Sequence, residues 1–304
     1  MKRAIIVPLF FLIAAWALFF LIPFFKKPFS APSEKPLVAA SIFPVYDLAR
    51  NVAGSSIDVE LVVPPGGEPH TFEPSPSLIR SLQRAEAVYA IGHGIDDWLH
   101  PILSNTQAAE ILMDKDIALR PSQAVFADAG AEEEAEGPID PHYWLTIPNA
   151  KKMVLAINQD LQARFPDLAG SFQKNTDAYL LALSDADKEL RTMLAPAKGR
   201  ALITLHDAWY YFADAYGLTI AGTYLPTAGR EPSIQYLGAL TKAVKSSGAK
   251  SLYHEPQFST QTLESFADDY GLRLVVMDDI GGTLPRDSFI HLMLENAKAI
   301  ANNP

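Results

Sequence analysis

The stretch ALITLHDAWYYFADAY, residues 201–216, decides the fold of this protein. Its first five residues are almost wholly apolar and predict a short buried strand at 201–205. Residues 208–216 predict a helix, and residues 218–221 predict a further short strand. A strand, a helix and a second strand in this order indicate a right-handed βαβ unit with parallel strands.

The same alternation extends in both directions from this unit. Four strands are predicted on its N-terminal side, at residues 37–42, 59–63, 87–91 and 110–113. Two more are predicted on its C-terminal side, at 251–254 and 272–277. Helical stretches separate the strands in both halves. We therefore expect an α/β protein with two lobes, each with a mainly parallel sheet flanked by helices.

One long rigid helix is expected to join the two lobes. A stripe of side chains at steps of three or four extends from near Asp167 to Ala195, and its members are Phe172, Asn175, Tyr179, Leu183, Ala186, Leu190 and Leu194. A helix of this length exceeds the average of ~11–12 residues in globular proteins. Pro196 and Gly199 follow its end.

The predicted domain organisation has five parts. They are a membrane anchor or signal segment at 1–27, a tether at 28–36, an N-terminal metal-binding lobe at 37–166, a linking helix at 167–197 and a C-terminal metal-binding lobe at 198–304. No close internal sequence repeat relates the two lobes.

Charge and composition exclude several classes of protein. The 304 residues carry a net charge of −10, which argues against a general nucleic-acid binder, because such a protein needs a basic surface. The chain has no cysteine, which excludes disulfides, thiol catalysis, thiolate metal sites and a lipid-modified cysteine. A transition-metal site must therefore use His, Asp and Glu.

The N-terminus predicts a membrane segment. Residues 4–25 are uncharged and almost wholly apolar, long enough as a helix to cross the ~30 Å core of a bilayer. We favour an uncleaved anchor over a cleaved signal, because the apolar run exceeds ~7–15 residues and no good cleavage site follows. Whether residues 1–27 are an anchor or a cleaved signal, we expect the rest of the chain to be exported. Without Lys2, Arg3, Lys26 and Lys27, 21 of the 25 basic residues remain against 35 acidic ones, a net of −14.

Three of the seven histidines lie where an α/β protein binds ligands. His206 directly follows the strand predicted at 201–205, His70 lies in the loop after 59–63, and His142 lies in a Pro-rich loop. Asp278 directly follows the strand predicted at 272–277. Ligands of open α/β sheets bind beyond the carboxyl ends of the strands. We therefore expect these four side chains, two from each half, to reach one cleft.

Proline precedes two of these histidines. The sequences EPH at 68–70 and DPH at 140–142 share an acid-Pro-His pattern. Because Pro fixes φ, each histidine lies on a stiffened loop and loses little entropy on binding a metal.

Five segments resemble the solute-binding proteins of zinc and manganese ABC transporters. They occur in the family's order within residues 37–303 and are GGEPHTFEPSP at 66–76, DPHYWL at 140–145, LHDAWYYF at 205–212, EPQFS at 255–259 and VMD at 276–278. The resemblance implies a C-clamp of two α/β lobes, bridged by a rigid helix, with one metal ion in the cleft.

Carried over by position, the resemblance implies that His70 and His142 of the first lobe and His206 and Asp278 of the second are the metal ligands. Manganese-type members tend to have Glu where this chain has His206, so the resemblance favours Zn²⁺. Three imidazoles and one carboxylate also suit tetrahedral Zn²⁺, whereas Mn²⁺ prefers more oxygen. Some relatives with three His and one Asp take manganese, so Mn²⁺ remains an alternative.

Two features depart from the family pattern or leave a choice open. Asp279 and Glu68 are alternatives to Asp278 as the carboxylate ligand. The acidic stretch 128–136 lacks the histidines that many zinc-type members have before the second motif. It either raises the local cation concentration or is a solvated loop.

Metal-bound His usually donates its other N–H to a partner, and the candidate partners are Asp207, Trp144 and Tyr210.

The sequence therefore predicts a monomeric extracytoplasmic protein that captures Zn²⁺, hands it to an ABC permease and its ATPase, and is not an enzyme. A periplasmic protein with a cleaved signal and an anchored protein on the outer face of the cell membrane both fit. A zinc hydrolase would need an open coordination position and a general base, and the chain has no H-E-x-x-H. A surface adhesin would leave the ordered His and Asp motifs unexplained.

Overall fold

Two four-stranded parallel sheets form the centre of the described chain. A computed structural model describes residues 35–123, 126, 137–226 and 231–303. The predicted membrane segment at 1–27, most of the tether at 28–36 and the acidic stretch 128–136 lie outside these residues. The chain from Lys35 onward forms one unit.

The first sheet contains strands β1 to β4 in the order β2-β1-β3-β4. The strands are β1 (Leu37–Ala40), β2 (Asp58–Leu61), β3 (Ala87–Ala90) and β4 (Ala109–Leu112), all parallel. Its helices are α1 (Phe43–Ala53), α2 (Pro76–Leu82), α3 (Leu99–Leu103) and α4 (Ile147–Arg164). The strand β3 is buried along its whole length.

The second sheet repeats the same topology, with the order β6-β5-β7-β8. Its parallel strands are β5 (Ala201–Thr204), β6 (Thr219–Thr223), β7 (Ser251–His254) and β8 (Arg273–Val276). The helices are α6 (Tyr210–Tyr216), α7 (Ile234–Ser247), α8 (Gln261–Tyr270) and α9 (Phe289–Asn302). The two lobes thus share one strand order, although their sequences show no close repeat. The predicted fold class of two parallel α/β lobes is confirmed.

Local sequence explains where several helices begin and end. The hydroxyls of Ser75, Ser233 and Ser288 accept a hydrogen bond from a backbone N–H in the first turn of α2, α7 and α9. Gly217 and Gly248 end α6 and α7 in the left-handed conformation, which glycine adopts without steric cost.

The joining helix α5 (Ala169–Leu194) confirms the predicted long helix, and a 3₁₀ turn lies at each end, Pro166–Leu168 and Ala195–Ala197. Its buried stripe contains Thr176 where the sequence predicted Asn175. Asn175 is only partly buried, and its side-chain amide donates to the backbone carbonyl of Val52 in α1, at 3.0 Å. Helix α5 packs against α1, α4 and α9 and so contacts both lobes.

A continuous hydrophobic core also connects the lobes. One cluster includes Tyr89 of the first sheet, Leu183 of α5 and Phe212 of the second lobe, all buried. Because the two lobes share one close-packed core, side-chain packing fixes how they are arranged. Among the described helices, none is both long and apolar enough to cross a bilayer.

Candidate metal centre

His70 lies on a short 3₁₀ turn, Pro69–Thr71, that follows β2. The turn starts at Pro69, and the side chain of Glu68 caps it by accepting a hydrogen bond from the backbone N–H of His70 at 3.1 Å. Trp98 donates its indole N–H to the carbonyl of Pro69 at 2.9 Å. The loop is therefore held from both sides, and His70 is half-buried.

His142 is buried, and a neighbour two positions away fixes its ring. The Oδ1 atom of Asp140 accepts a hydrogen bond from the backbone N–H of His142 and lies 3.0 Å from its Nδ1. The other ring nitrogen, Nε2, is buried and has no hydrogen-bond partner among the described residues. A buried nitrogen without a partner costs free energy unless a ligand satisfies it, so Nε2 is suited to bind a metal.

The sequence predicts that His206 directly follows the strand, but β5 ends at Thr204, so His206 is the second residue after it; its side chain is buried. The hydroxyl of Thr204 donates to its backbone carbonyl at 2.8 Å. Its Nδ1 lies 3.2 Å from Oε1 of Glu255, and its Nε2 lies 3.9 Å from Oδ2 of Asp279. Nε2 therefore faces a carboxylate across a gap too long for a hydrogen bond.

The imidazoles of the two lobes meet in one cluster. The ring centroid of His142 lies 5.4 Å from that of His206 and 5.7 Å from that of His70. His142, His206 and Asp279 each offer one ligand atom, and these atoms all lie within 4.8 Å of one another. His70 lies beside this group of three, in contact with His142.

The two adjacent aspartates have different environments. Asp278 Oδ1 accepts hydrogen bonds from the backbone N–H groups of Ile280 and Gly281, at 3.0 and 2.9 Å. Asn296 exchanges hydrogen bonds with the backbone of Asp278. The carboxylate of Asp278 thus closes a turn, while Asp279 is the one that reaches the imidazoles.

Burial keeps two of the histidines neutral. It lowers the pKa of His70 to about 2, with the neighbouring imidazoles His142 and His206 acting in the same direction. Burial and His206 lower the pKa of His142 to about 3. Neutral imidazole is the form that binds a metal, so these two rings need not lose a proton first.

His206 differs because carboxylates surround it. Burial by itself lowers its pKa, but Glu255 and then Asp279 and Asp207 raise the pKa of His206 well above its ordinary value. Burial also raises the pKa of Asp279, which His206 opposes. The pair therefore holds a proton that a metal ion must displace.

Several residues that support the site were not assigned from the sequence. Glu255 is fully buried, and its Oε1 accepts a hydrogen bond from the indole N–H of Trp209 at 2.8 Å in addition to facing His206. Gln257 donates its side-chain amide to Asp279 Oδ1 at 2.6 Å. The only sequence signal for these residues was the segment 255–259, which carried no assigned role. Of the predicted partners, Trp144 donates its indole N–H to the carbonyl of Asp279 at 2.8 Å.

Comparisons with known proteins agree with this architecture. Residues 38–303 match the model of a family described as "Zinc-uptake complex component A periplasmic". The chain is 28% identical over 280 residues to the zinc-binding lipoprotein AdcA of Streptococcus pneumoniae, covering 86% of this chain and 54% of that protein. The chain thus spans about half the length of the streptococcal relatives that it matches.

A relative with a different metal in its name matches equally well. The manganese-binding lipoprotein MntA of Halalkalibacterium halodurans is 28% identical over 261 residues, which cover 85% of this chain and 82% of that protein. Among solved structures, the Zn(II)-bound ZnuA-like domain of Streptococcus pneumoniae AdcA superposes with a TM-score of 0.71 at 28% identity. That match covers 88% of this chain and 98% of the domain.

Proposed function

Because the chain belongs to the family of periplasmic zinc-uptake component A proteins, we propose that it captures Zn²⁺ in the cleft between its lobes and delivers the ion to an ABC permease and its ATPase. The observation that carries this proposal is the buried group of His142, His206 and Asp279, whose ligand atoms lie within 4.8 Å of one another. The metal ligands come from both lobes, so binding one ion stabilises the association of the two lobes.

We assign the ligands as His70, His142, His206 and Asp279. This set revises the sequence-based choice of Asp278, because the carboxylate of Asp278 accepts two backbone hydrogen bonds from its own turn. Glu68 is assigned to the turn of His70, which it caps. Three imidazole nitrogens and one carboxylate oxygen form a tetrahedral set.

The donor set favours Zn²⁺ over Mn²⁺. Zinc is stable with four N and O ligands in a tetrahedron, whereas manganese prefers a larger number of oxygen ligands. Manganese is the second candidate, since a relative at 28% identity is named for it. In this proposal zinc is the transported ion, and four protein ligands hold it until it is released to the permease.

We also propose that the protein is a monomer and not an enzyme. Four side chains fill a tetrahedral shell and leave no position for the water molecule that a zinc hydrolase activates. A position outside the cytoplasm, by an uncleaved anchor or a cleaved signal at residues 1–27, completes the proposal.

The test is metal analysis of the protein after exposure to equal concentrations of Zn²⁺ and Mn²⁺. We expect one zinc ion per chain and no catalytic turnover. An excess of bound manganese would overturn the choice of zinc. The variant His206→Ala should lose tight zinc binding. The control is His291→Ala, which changes an exposed histidine of α9 and should leave zinc binding unchanged.

A matched pair of variants tests the carboxylate. Asp279→Asn should weaken zinc binding more than Asp278→Asn, because an amide oxygen at position 278 still accepts the N–H groups of Ile280 and Gly281. The reverse order would restore Asp278 as the ligand.

A further inference from the structure

Gln257 donates a hydrogen bond to the carboxylate of Asp279, the carboxylate that reaches the imidazoles. It lies three residues beyond the end of β7, and its Nε2 donates to Oδ1 of Asp279 at 2.6 Å. The other oxygen, Oδ2, is the one that lies 3.9 Å from Nε2 of His206. The two oxygens of Asp279 therefore have separate partners, an amide donor on one side and the imidazole cluster on the other.

The rest of Asp279 is also fixed. The indole N–H of Trp144, from the first lobe, donates to the backbone carbonyl of Asp279 at 2.8 Å. With its backbone and one carboxylate oxygen held, Asp279 is buried and has little freedom to rotate. Its orientation toward the imidazoles is set before a metal arrives, which lowers the entropy lost on binding.

We propose that Gln257 is a specificity-determining residue, which favours zinc by restricting Asp279 to one metal-binding oxygen. This inference rests on the proposed function, in which Asp279 is a ligand. A carboxylate binds metals through one oxygen or through both. One oxygen with three imidazoles gives the four ligands of tetrahedral zinc. Two oxygens raise the coordination number toward that which manganese prefers.

The residues that precede and follow Gln257 support this reading. Glu255 faces Nδ1 of His206, and the ring of Phe258 lies 5.7 Å from that of His206 between centroids. The segment after β7 therefore supports both second-lobe ligands, His206 through Glu255 and Phe258 and Asp279 through Gln257. Gln257 is the member of this segment that acts on the number of ligand oxygens, because its partner is a carboxylate.

The test removes the amide donor at nearly constant volume. Gln257→Met should weaken zinc binding by about tenfold, a typical effect of removing a partner of a metal ligand. Manganese binding should be unchanged or tighter, so the ratio of manganese to zinc dissociation constants should fall by about tenfold or more. Both constants are measured by competition with a chelator. Gln257→Ala is a second variant in case the first does not fold, and circular dichroism reports the folded state.

The matched control is Gln261→Met, an exposed glutamine at the start of α8. It should bind both metals as the unaltered protein does. A spectroscopic measurement tests the coordination number directly. Bound Co²⁺ should have the intense visible bands of a four-coordinate site in the unaltered protein and weaker bands in Gln257→Met.

An unchanged ratio in Gln257→Met, or an equal loss of affinity for both metals, would overturn the inference. Asp279→Ala separates this failure from that of the proposed function. If Asp279→Ala retains full zinc affinity, the ligand assignment itself is wrong. If Asp279→Ala loses zinc while Gln257→Met leaves the ratio unchanged, only the role of Gln257 is wrong.

Discussion

Asp140 holds His142 at two points: its Oδ1 accepts a 3.0 Å hydrogen bond from the backbone N–H of His142 and lies 3.0 Å from Nδ1 of the same imidazole. With Nδ1 occupied, Nε2 is the nitrogen that faces the cleft. The backbone carbonyl of Asp140 also accepts a hydrogen bond from Tyr211 of the second lobe, at 3.2 Å. One residue therefore orients a ligand and contacts the opposite lobe.

Removing the Asp140 carboxylate should weaken zinc binding without removing a ligand. For Asp140→Ala we expect a loss of about 10–100-fold in affinity, because the imidazole of His142 is then free to rotate. Asp140→Asn should lose less, because an amide oxygen still accepts a hydrogen bond. Titration against a chromophoric chelator measures both. Asp97→Ala, at an exposed position, is the control, and full affinity in Asp140→Ala would contradict the prediction.

Zinc binding should release at least about one proton near neutral pH. Burial lowers the pKa of His70 to about 2 and that of His142 to about 3, so neither carries a proton to lose. Glu255 and other carboxylates raise the pKa of His206, despite its burial, so its proton must leave when the metal binds. Calorimetry in buffers with different ionisation enthalpies measures the number released.

The affinity should therefore rise with pH, by at least about tenfold per unit while His206 remains protonated in the free protein. Three ordinary histidines would instead give a steeper dependence below their usual pKa of about 6.5 and none above it. A zinc affinity that does not change between about pH 7 and about pH 8 would contradict the assignment of the proton to His206.

The buried carboxylate of Asp47 should contribute to the stability of the frame that holds the lobes. Its Oδ2 accepts hydrogen bonds from the hydroxyl of Tyr179 in α5 at 3.0 Å and from the backbone N–H of Phe289 in α9 at 2.9 Å. Tyr179→Phe should lower the free energy of unfolding by about 1.5–3 kcal/mol, the range for hydrogen bonds to charged groups. Urea denaturation measures it.

A double-mutant cycle separates this hydrogen bond from packing. In an Asp47→Ala background, Tyr179→Phe should cost much less, because the hydroxyl has lost its acceptor. Equal costs in the two backgrounds would show that the hydroxyl acts through other contacts.

Gly282 should not tolerate a larger side chain. Its φ is +94°, which disfavours other residues, and an added Cβ would lie 3.1 Å from the ring of Phe43 and 3.1 Å from Cβ of Pro65. Gly282→Ala should lower stability by about 1–3 kcal/mol. The control is Gly238→Ala in α7, where nothing lies within 4 Å; it should raise stability by about 0.5–1 kcal/mol. Thermal unfolding compares them, and equal effects would contradict the argument.

Much of the fold could be predicted because its signals are local. The strand at Ser251–His254 was predicted with the same bounds, and the long helix was predicted within about two residues at each end. The stripe on that helix was predicted correctly except at one position. Thr176 is buried, whereas its neighbour Asn175, whose amide donates to the carbonyl of Val52 in α1, is only partly buried.

The sequence by itself determined two α/β lobes, a joining helix and three histidines placed at loops or strand ends, because apolar periodicity and the residues that stiffen or end an element act over a few positions. Only the tertiary structure decided that Asp279 faces the imidazoles while Asp278 closes a turn, and that Gln257 holds Asp279. Adjacent side chains point in different directions, and the partners of Asp279 lie 22 and 135 positions away. Such contacts depend on how the lobes pack.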